Sequence, residues 1–317
     1  MADHNEDTPT VSSVSAFVRL ARPKQWAKSG FVFIGPLYAT QSGVEHGWAG
    51  IVVAVILTAL AFCFASSGCY VFNDIADIEA DRAHPRKRNR PIASGAISPE
   101  QGRFFAFGLY LAAIVCVLFI PGERSWWVLG LVAAHVANVL LYSARLKHIV
   151  ILDVMSLAMG FVLRVLAGCV AAGIWPSTWL LNVSLFLSMT LAFGKRLGER
   201  RTLGSAGGAV KARGVQSAYS DDLLRMLLVV SAVATLLTYS AYVVTREELY
   251  SGRHTLNLLW ITMLPATYGL LRAILLVEMG RYDDPTEIAT RDRPFQGAAF
   301  AFVVITVALM AAHVWWR

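Results

Sequence analysis

Apolar stretches long enough to cross a lipid bilayer recur along the whole of this 317-residue chain. A transmembrane helix needs about 20 predominantly apolar residues. The stretches predict nine such helices, near residues 25–43, 49–73, 103–121, 125–143, 150–174, 177–194, 223–245, 256–277 and 296–316. Gly35 and Pro36 interrupt the first stretch, so eight helices are the alternative. The expected fold class is an all-α polytopic membrane protein.

The composition supports this fold class and narrows the possible functions. Hydrophobic residues make up 56% of the chain and charged residues 15%, whereas a typical soluble domain is about 25% charged. This balance excludes soluble nucleic-acid-binding, collagenous and disordered proteins. The net charge of +7 is instead typical of a membrane protein with basic loops and anionic substrates, so no nucleic-acid partner is expected.

Basic residues are concentrated on one side of the predicted bundle. When alternate loops are assigned to one side, 23 of the 28 Lys and Arg residues fall there and four on the other. Only Arg164 lies within a span. The positive-inside rule makes the basic side cytoplasmic, so we predict a multi-pass cell-membrane protein with a cytoplasmic N terminus. Residues 1–16 are predicted to be a disordered cytoplasmic tail, and residues 17–317 a single transmembrane domain.

An acidic motif with helical spacing ends the second predicted span. The motif reads NDIADIEAD, and a helix places Asn73, Asp77 and Asp81 one turn apart on one face, with Asp74 at its edge. Oxygen ligands in this arrangement favour a hard cation such as Mg²⁺. Such an ion typically uses one or two carboxylates and completes its coordination with water and substrate phosphates.

A basic run directly after this motif allows a second interpretation, in which the aspartates only form ion pairs. The run comprises Arg82, Arg86, Lys87, Arg88 and Arg90. Clustered ionisable groups at a membrane edge are costly unless they have a function. We therefore favour Mg²⁺ binding by the acids and phosphate binding by the neighbouring cations.

Other polar residues on the same predicted side are candidates either for substrate binding or for positive-inside anchoring. They are Tyr142, Lys147, Lys195, Arg196, Glu199 and Arg291. Arg164 differs because it lies within a span. A charge at that depth faces a polar cavity or a partner, so Arg164 is a functional candidate, with helix-to-helix hydrogen bonding as the alternative.

The segment at residues 73–95, NDIADIEADRAHPRKRNRPIASG, resembles the first acidic motif of the UbiA-type intramembrane prenyltransferase superfamily. Further similarities lie at residues 22–28, 142–153, 160–168, 194–199, 219–225 and 287–296, so the resemblance extends from about residue 17 to residue 317. As a set, the motifs are most similar to those of the decaprenyl-phosphate phosphoribosyltransferases. The resemblance implies a UbiA-like bundle of nine helices with a cytoplasm-facing cavity, and it makes residues 17–317 the catalytic domain.

The chain departs from the wider superfamily after the sixth predicted helix. Typical members that prenylate an aromatic acceptor have a second DxxxD motif there, for Mg²⁺ on the donor diphosphate. This chain has none at that place and instead has the mainly basic sequence GKRLGERR at residues 194–201. Such a sequence suits a donor with an additional anionic group. Phosphoribosyl pyrophosphate is such a donor, because it has a 5-phosphate as well as a diphosphate.

The resemblance thus implies transfer of 5-phosphoribose from phosphoribosyl pyrophosphate to a polyprenyl phosphate, with release of pyrophosphate, for a precursor of cell-envelope arabinan. The expected metal ligands are Asn73, Asp74, Asp77 and Asp81, and the expected catalytic residues are Asp77, Asp81 and Lys195. The expected substrate-binding residues are Lys24, Lys28, Arg82, Lys87, Arg88, Arg90, Tyr142, Lys147, Arg164, Arg196, Glu199, Tyr219 and Arg291.

Two other functions remain open at this point. One is prenyl transfer from a diphosphate to an aromatic acceptor on the same fold, against which the missing second acidic motif argues. The other is a lipid transporter or flippase, which would be expected to have related halves and broken helices at matched depths. Membrane lipids surround any of these proteins, and a homo-oligomer remains possible.

Overall fold

The computed structural model describes residues 13–37, 48–85, 87–205, 218–246, 257–281 and 285–315. Every regular element in these ranges is a helix. The α-helices, numbered in chain order, are α1 Ser13–Ala21, α2 Ile34–Leu37, α3 Trp48–Ala76, α4 Ile78–Arg82, α5 Pro99–Leu118, α6 Arg124–Ala144, α7 Leu152–Ala172, α8 Thr178–Ser205, α9 Asp221–Thr245, α10 Met263–Glu278, α11 Pro285–Arg291 and α12 Arg293–Trp315. Four 3₁₀ helices lie at Pro23–Phe33, Lys87–Asn89, Leu146–His148 and Leu258–Thr262.

Within the described residues, seven helical segments are long and apolar enough to cross a membrane, which confirms the all-α polytopic fold class. They are Ala49–Ala76, Pro99–Leu118, Arg124–Ala144, Leu152–Ala172, Thr178–Arg200, Asp221–Thr245 and Leu258–Glu278. These seven correspond to the second to eighth predicted spans. The ninth corresponds to α12, in which a shorter apolar stretch covers residues 293–309.

The N-terminal region differs from the simple helix expected near residues 25–43. A 3₁₀ helix, Pro23–Phe33, passes directly into the four-residue α2, and residues 38–47 lie outside the described part of the chain. The prolines at positions 23 and 36 lack the backbone N–H that a regular α-helix requires. The count of nine spans therefore stays a prediction.

Helix α1 begins inside the predicted N-terminal tail. Residues 13–16 are helical, whereas residues 1–12 lie outside the described chain. Ala16 and Leu20, one turn apart, are buried in a cluster with Val71 of α3 and Leu109 of α5. This burial explains why a polar-looking N terminus becomes a helix from Ser13 onward.

Helix α7 lies at the centre of the bundle. It contacts α3, α6, α8 and the 3₁₀ helix Pro23–Phe33, while α3 also packs along α5 and α8 along α9. Gly168 makes the approach of the 3₁₀ helix possible, because a Cβ atom at this position would overlap the carbonyl oxygen of Val32. The 3₁₀ helix therefore packs directly on α7, and it also contacts α3.

Candidate active site

The acidic motif lies where α3 ends and α4 begins, so the helix is not continuous as the sequence suggested. The break is at Asp77, whose φ and ψ of −98° and 12° are not helical. Backbone hydrogen bonds from Asp77 to Asn73, 3.0 Å, and from Asp81 to Asp77, 2.8 Å, nevertheless preserve the i to i−4 pattern. Asn73, Asp77 and Asp81, three of the four predicted ligands, therefore keep their one-turn separation.

Two of the aspartates are buried and share one arginine. Arg90 Nη1 lies 3.0 Å from Oδ1 of Asp74 and 2.6 Å from Oδ2 of Asp81. Arg22 also donates to Oδ1 of Asp74, and Nζ of Lys87 lies 3.9 Å from Asp81. The side chains of Asp74 and Asp81 are only 3% and 2% exposed. This ion-pair cluster corresponds to the alternative interpretation of the acidic motif, and it includes Asp74, which the helical spacing placed only at the edge.

Arg22 reaches this cluster because the N-terminal segment is tied to α3. Ser67 donates to the carbonyl oxygen of Ala21 over 2.7 Å and accepts a 3.0 Å hydrogen bond from the indole of Trp26. Arg22 itself has a left-handed backbone, with φ of 53°, which is uncommon for a residue other than glycine. Its guanidinium lies 5.1 Å from the ring centre of Tyr70. No role for Arg22 is predicted from the sequence alone.

The remaining cations of the basic run do not all converge on the acids. Nε of Arg82 donates to the carbonyl oxygen of Ala93 over 3.1 Å and so braces the turn before α5. Arg88 is exposed on the 3₁₀ helix Lys87–Asn89, and its side chain has no hydrogen bond or ion pair within the described chain. Arg86 lies outside the described residues, and among the other four basic residues of the run Arg90 has the closest contacts with the aspartates.

A second polar network joins the ends of α6, α7 and α8 around Arg196. Nε of this buried arginine lies 3.2 Å from Oδ2 of Asp153, and Nη1 lies 3.2 Å from Oε2 of Glu199. Nη2 donates to the Tyr142 hydroxyl over 3.3 Å. Three of the predicted substrate-binding residues are thus brought together, but around an internal carboxylate, Asp153, that is completely buried.

Tyr219 closes this network from the segment before α9. Its hydroxyl donates a 2.7 Å hydrogen bond to Oδ1 of Asp153 and accepts a 2.6 Å bond from the backbone N–H of Ile151. Burial, followed by the hydrogen bond to Asp153, raises the pKa of Tyr219, so it remains a neutral donor. Ile151 has a φ of 72°, a strained value for a β-branched residue. Strain of this kind persists only where surrounding contacts hold it.

Arg164 lies in the middle of α7 and is 5% exposed. Nη1 donates to the carbonyl oxygen of Gly160 over 2.8 Å, and Nη2 lies 2.9 Å from Oγ of Ser66 and 3.3 Å from Nε2 of His135. The guanidinium also lies 5.5 Å from the ring centre of Phe62. The structure thus places this predicted functional residue among polar groups of α3 and α6.

The structure distributes the other predicted substrate-binding residues around the same side of the bundle. Lys195, the predicted catalytic cation, is half-buried on α8. The remaining four are exposed Lys24 and half-buried Lys28 on the first 3₁₀ helix, half-buried Lys147 after α6, and exposed Arg291 at the end of α11. Beside Arg291, the buried Asp292 pairs with Arg272 over 2.9 Å.

The sequence of the protein matches the UbiA prenyltransferase family across residues 30–291. The chain belongs to this family. A UbiA relative from Mycolicibacterium smegmatis, named decaprenyl-phosphate phosphoribosyltransferase, is 34% identical over 304 residues, which cover 93% of this chain and 92% of the relative. A protein of the same name from Corynebacterium glutamicum is 31% identical over 316 residues, which cover 98% of this chain and 91% of that protein.

The fold agrees with this membership in the UbiA family. A solved UbiA homologue from Archaeoglobus fulgidus, bound to GPP and Mg²⁺, superimposes with a TM-score of 0.65 at 18% identity, covering 93% of this chain and 99% of the homologue. At this identity the likeness establishes the fold, and the chemistry of the site must be argued from the residues of this chain.

The fit of a UbiA-type metal site can be tested on the acidic motif itself. Within the described ranges, no three His, Cys, Asp or Glu side chains are placed to share a metal ion. Asn73 and Asp77 nevertheless have no hydrogen bond or ion pair in these ranges that would compete for their side-chain oxygens. Since Mg²⁺ needs only one or two carboxylates beside water and phosphate oxygens, these residues fit it, whereas Oδ2 of Asp81 is paired with Arg90.

Sequence reasoning missed several residues that the structure brings into the polar networks. Asp153 and His135 carried a usable signal, because each is a polar residue within or at the edge of an apolar span, where such residues are usually functional. The indication of function in the sequence is weaker for Ser66 and Arg22. Their contacts with Arg164 and Asp74 depend on how α3 packs against α7 and against the N-terminal segment, which local sequence does not specify.

Proposed function

We propose that this UbiA family member transfers 5-phosphoribose from phosphoribosyl pyrophosphate to a polyprenyl phosphate of the decaprenyl type and releases pyrophosphate. The observation that carries the proposal is the match to decaprenyl-phosphate phosphoribosyltransferases over more than nine-tenths of the chain. The basic sequence at the end of α8 supports the proposal, because Lys195 and Arg196 lie where an aromatic prenyltransferase would have a second acidic motif.

The reaction forms a bond between an oxygen of the lipid phosphate and the anomeric carbon of ribose, while the bond from that carbon to the diphosphate breaks. The lipid phosphate is already anionic at neutral pH, so the site needs no strong general base. Catalysis then depends on positioning and on stabilising the charge of the departing diphosphate. In the candidate site, groups for positioning and for charge stabilisation lie at the ends of α3 and α8.

Asn73, Asp77 and Asp81 would hold Mg²⁺, with Asp74 in a supporting position. When bound, Mg²⁺ supplies electrostatic stabilisation of the diphosphate leaving group. Asp74 supports the site through charge, because it orients both Arg22 and Arg90. Oriented guanidinium groups are well matched to phosphate oxygens.

The donor phosphates have several cations within the same region. We assign Arg82, Lys87, Arg88, Arg90 and Lys195 to them. Lys195 would act as the catalytic cation because it lies in the basic sequence near the end of α8, where the second acidic motif is missing. The opposite wall would be shaped by Arg196, Glu199, Tyr142 and Tyr219. Arg196 donates to Glu199, Tyr142 and Asp153, and Tyr219 also donates to Asp153, so the end of α8 is fixed against α7.

Lys24, Lys28 and Lys147 would meet the lipid phosphate at the membrane surface, and Arg291 would contribute to the positive field at the same surface. We place this surface at the cytoplasm, because the basic residues of the chain are concentrated on one side. A cell-membrane location with the site facing the cytoplasm gives the soluble donor direct access. The product would then serve as a precursor of cell-envelope arabinan.

The test is a reconstituted assay with purified protein in nanodiscs. Pyrophosphate release is expected only when phosphoribosyl pyrophosphate, a polyprenyl phosphate and Mg²⁺ are all present. A parallel reaction offers a prenyl diphosphate with 4-hydroxybenzoate, the substrates of the rival activity. Turnover in that reaction, combined with no release from phosphoribosyl pyrophosphate, would overturn the proposed function.

A further inference from the structure

The buried arginine of α7 has unsatisfied hydrogen-bond donors. Nε of Arg164 and Nδ1 of His135 are both buried without a hydrogen-bond partner. Arg164 can only donate, so Nε2 of His135 accepts from it and the imidazole proton lies on Nδ1. Two N–H groups at the same polar cluster therefore lack an acceptor, and buried donors without acceptors are rare in folded proteins.

The charge of Arg164 is also uncompensated. In the described part of the chain no carboxylate pairs with it, and its partners are neutral: the Gly160 carbonyl, Ser66 and His135. The faces of Phe62 and Phe161 lie 5.5 and 5.8 Å from the guanidinium, which compensates only part of the cost of burying a cation. An isolated charge within a membrane span is costly, and it marks a binding site by default.

We propose that Arg164, His135 and Ser66 form a binding site for the phosphate of the polyprenyl phosphate acceptor. This inference rests on the proposed function, and it names the substrate group that Arg164 binds. A phosphate provides the acceptor atoms that Nε of Arg164 and Nδ1 of His135 lack, and it neutralises the guanidinium. The lysines near the surface, Lys24 and Lys28, would then meet the same phosphate earlier, at its entry.

The depth of the site favours the acceptor over the donor. Ser66 precedes Asp74 by eight residues on α3, which is about 12 Å along a helix axis. One guanidinium at this depth matches a single phosphate, whereas the many cations around Asp74 match a donor with several. Aromatic side chains near this site suit an isoprenoid chain. They include Phe31 and Phe161, whose ring centres lie 4.6 Å apart. The ribose of a donor whose diphosphate is held by the acidic motif would then lie between that motif and the Arg164 site.

Direct binding measurements test the proposal without turnover. Wild-type protein in nanodiscs is titrated with a polyprenyl phosphate and, separately, with the matching polyprenol, which lacks the phosphate. Arg164→Gln is expected to weaken polyprenyl phosphate binding by at least about tenfold, in line with a lost charge-assisted contact, and to leave polyprenol binding unchanged. Arg164→Lys is expected to recover part of the loss.

Arg124→Gln is the matched control, because Arg124 also donates to α7 but at its C-terminal end, to the Ala171 carbonyl over 3.3 Å. Gly160→Ala keeps the arginine and so tests the site even if Arg164→Gln fails to fold. Its new methyl group would lie 3.6 Å from Nη1 of Arg164 and 3.7 Å from Nδ1 of His135, an ordinary contact distance. It is expected to weaken polyprenyl phosphate binding several-fold by occupying ligand space.

The kinetic constants show whether the site binds the phosphate of the lipid acceptor or a phosphate of the donor. If the proposal holds, the site variants raise KM for the polyprenyl phosphate and change KM for phosphoribosyl pyrophosphate less than about twofold. An unchanged affinity for polyprenyl phosphate in both variants, or a rise confined to KM for phosphoribosyl pyrophosphate, overturns it. Failure of the proposed function has a different signature: no pyrophosphate release by the wild type, with Arg164-dependent lipid phosphate binding retained.

Discussion

Nη1 of Arg90 lies 2.6 Å from Oδ2 of Asp81. Asp81 is one of the four predicted metal ligands, so Arg90 pairs with a carboxylate oxygen that could otherwise bind a cation. The same nitrogen contacts Asp74 at 3.0 Å. Arg90 therefore links the stability of the α3–α4 junction to the binding of metal and donor.

Replacing Arg90 by Gln is expected to lower the apparent melting temperature in detergent, because the buried Asp74 and Asp81 lose a charged partner. The same change is expected to raise KM for phosphoribosyl pyrophosphate. Differential scanning fluorimetry and initial-rate kinetics measure the two effects. Arg88→Gln controls the stability measurement, because Arg88 is exposed on the neighbouring 3₁₀ helix, and an equal drop in both variants would contradict the role of Arg90.

Asp77→Asn is expected to reduce kcat/KM by about 100-fold, the scale of losing a group that stabilises charge in the transition state. Its melting temperature without metal should not change, since Asp77 has no ion pair or side-chain hydrogen bond in the described chain. Glu79→Gln, an exposed acid two residues away, is expected to retain activity. Full Mg²⁺-dependent turnover by Asp77→Asn would show that Asp77 is not a ligand.

Tyr219→Phe tests the network around Asp153. The change removes the donor to Asp153 and the acceptor for the Ile151 N–H, and leaving such buried groups unsatisfied costs about 1–3 kcal/mol each. We expect a lower melting temperature and little change in KM for either substrate. A normal melting temperature with a large rise in KM would instead place the hydroxyl in direct contact with substrate.

The raised pKa of Tyr219 also predicts a pH dependence of stability. The unfolded tyrosine loses its proton near pH 10, whereas the folded residue keeps it at that pH because of burial and the hydrogen bond to Asp153. Its contribution to stability is therefore complete below about pH 10 and is lost as the pH rises above that value. Melting temperatures measured from pH 8 to 11 should fall less steeply for Tyr219→Phe than for the wild type.

Gly168→Ala is expected to destabilise the packing of the N-terminal segment on α7, because the added Cβ atom would overlap the Val32 carbonyl oxygen. Backbone at this contact cannot move aside as a flexible side chain can. Limited proteolysis near residues 22–33 and the melting temperature measure the effect. Gly130→Ala on α6 is the control, since a Cβ atom there meets nothing within 4 Å, and equal behaviour of the two variants would contradict the packing argument.

The sequence was most informative where local rules dominate. Apolar length predicted the seven spans from Ala49 to Glu278, and helical spacing predicted that Asn73, Asp77 and Asp81 lie one turn apart. It was least informative where distant segments meet. The contacts Arg22–Asp74 and Arg196–Asp153 join residues 52 and 43 positions apart, and they depend on the packing of whole helices rather than on any local pattern.

The most direct test of the proposed reaction follows the oxygen atoms of the lipid phosphate. Purified protein is incubated with phosphoribosyl pyrophosphate, Mg²⁺ and a polyprenyl phosphate whose phosphate carries ¹⁸O, and the lipid and pyrophosphate are analysed by mass spectrometry. Because a lipid phosphate oxygen attacks the ribose carbon, we expect a phosphoribosyl lipid that retains all the label and pyrophosphate that contains none. Label in the pyrophosphate, or a lipid whose mass does not increase by a phosphoribosyl group, would contradict the account.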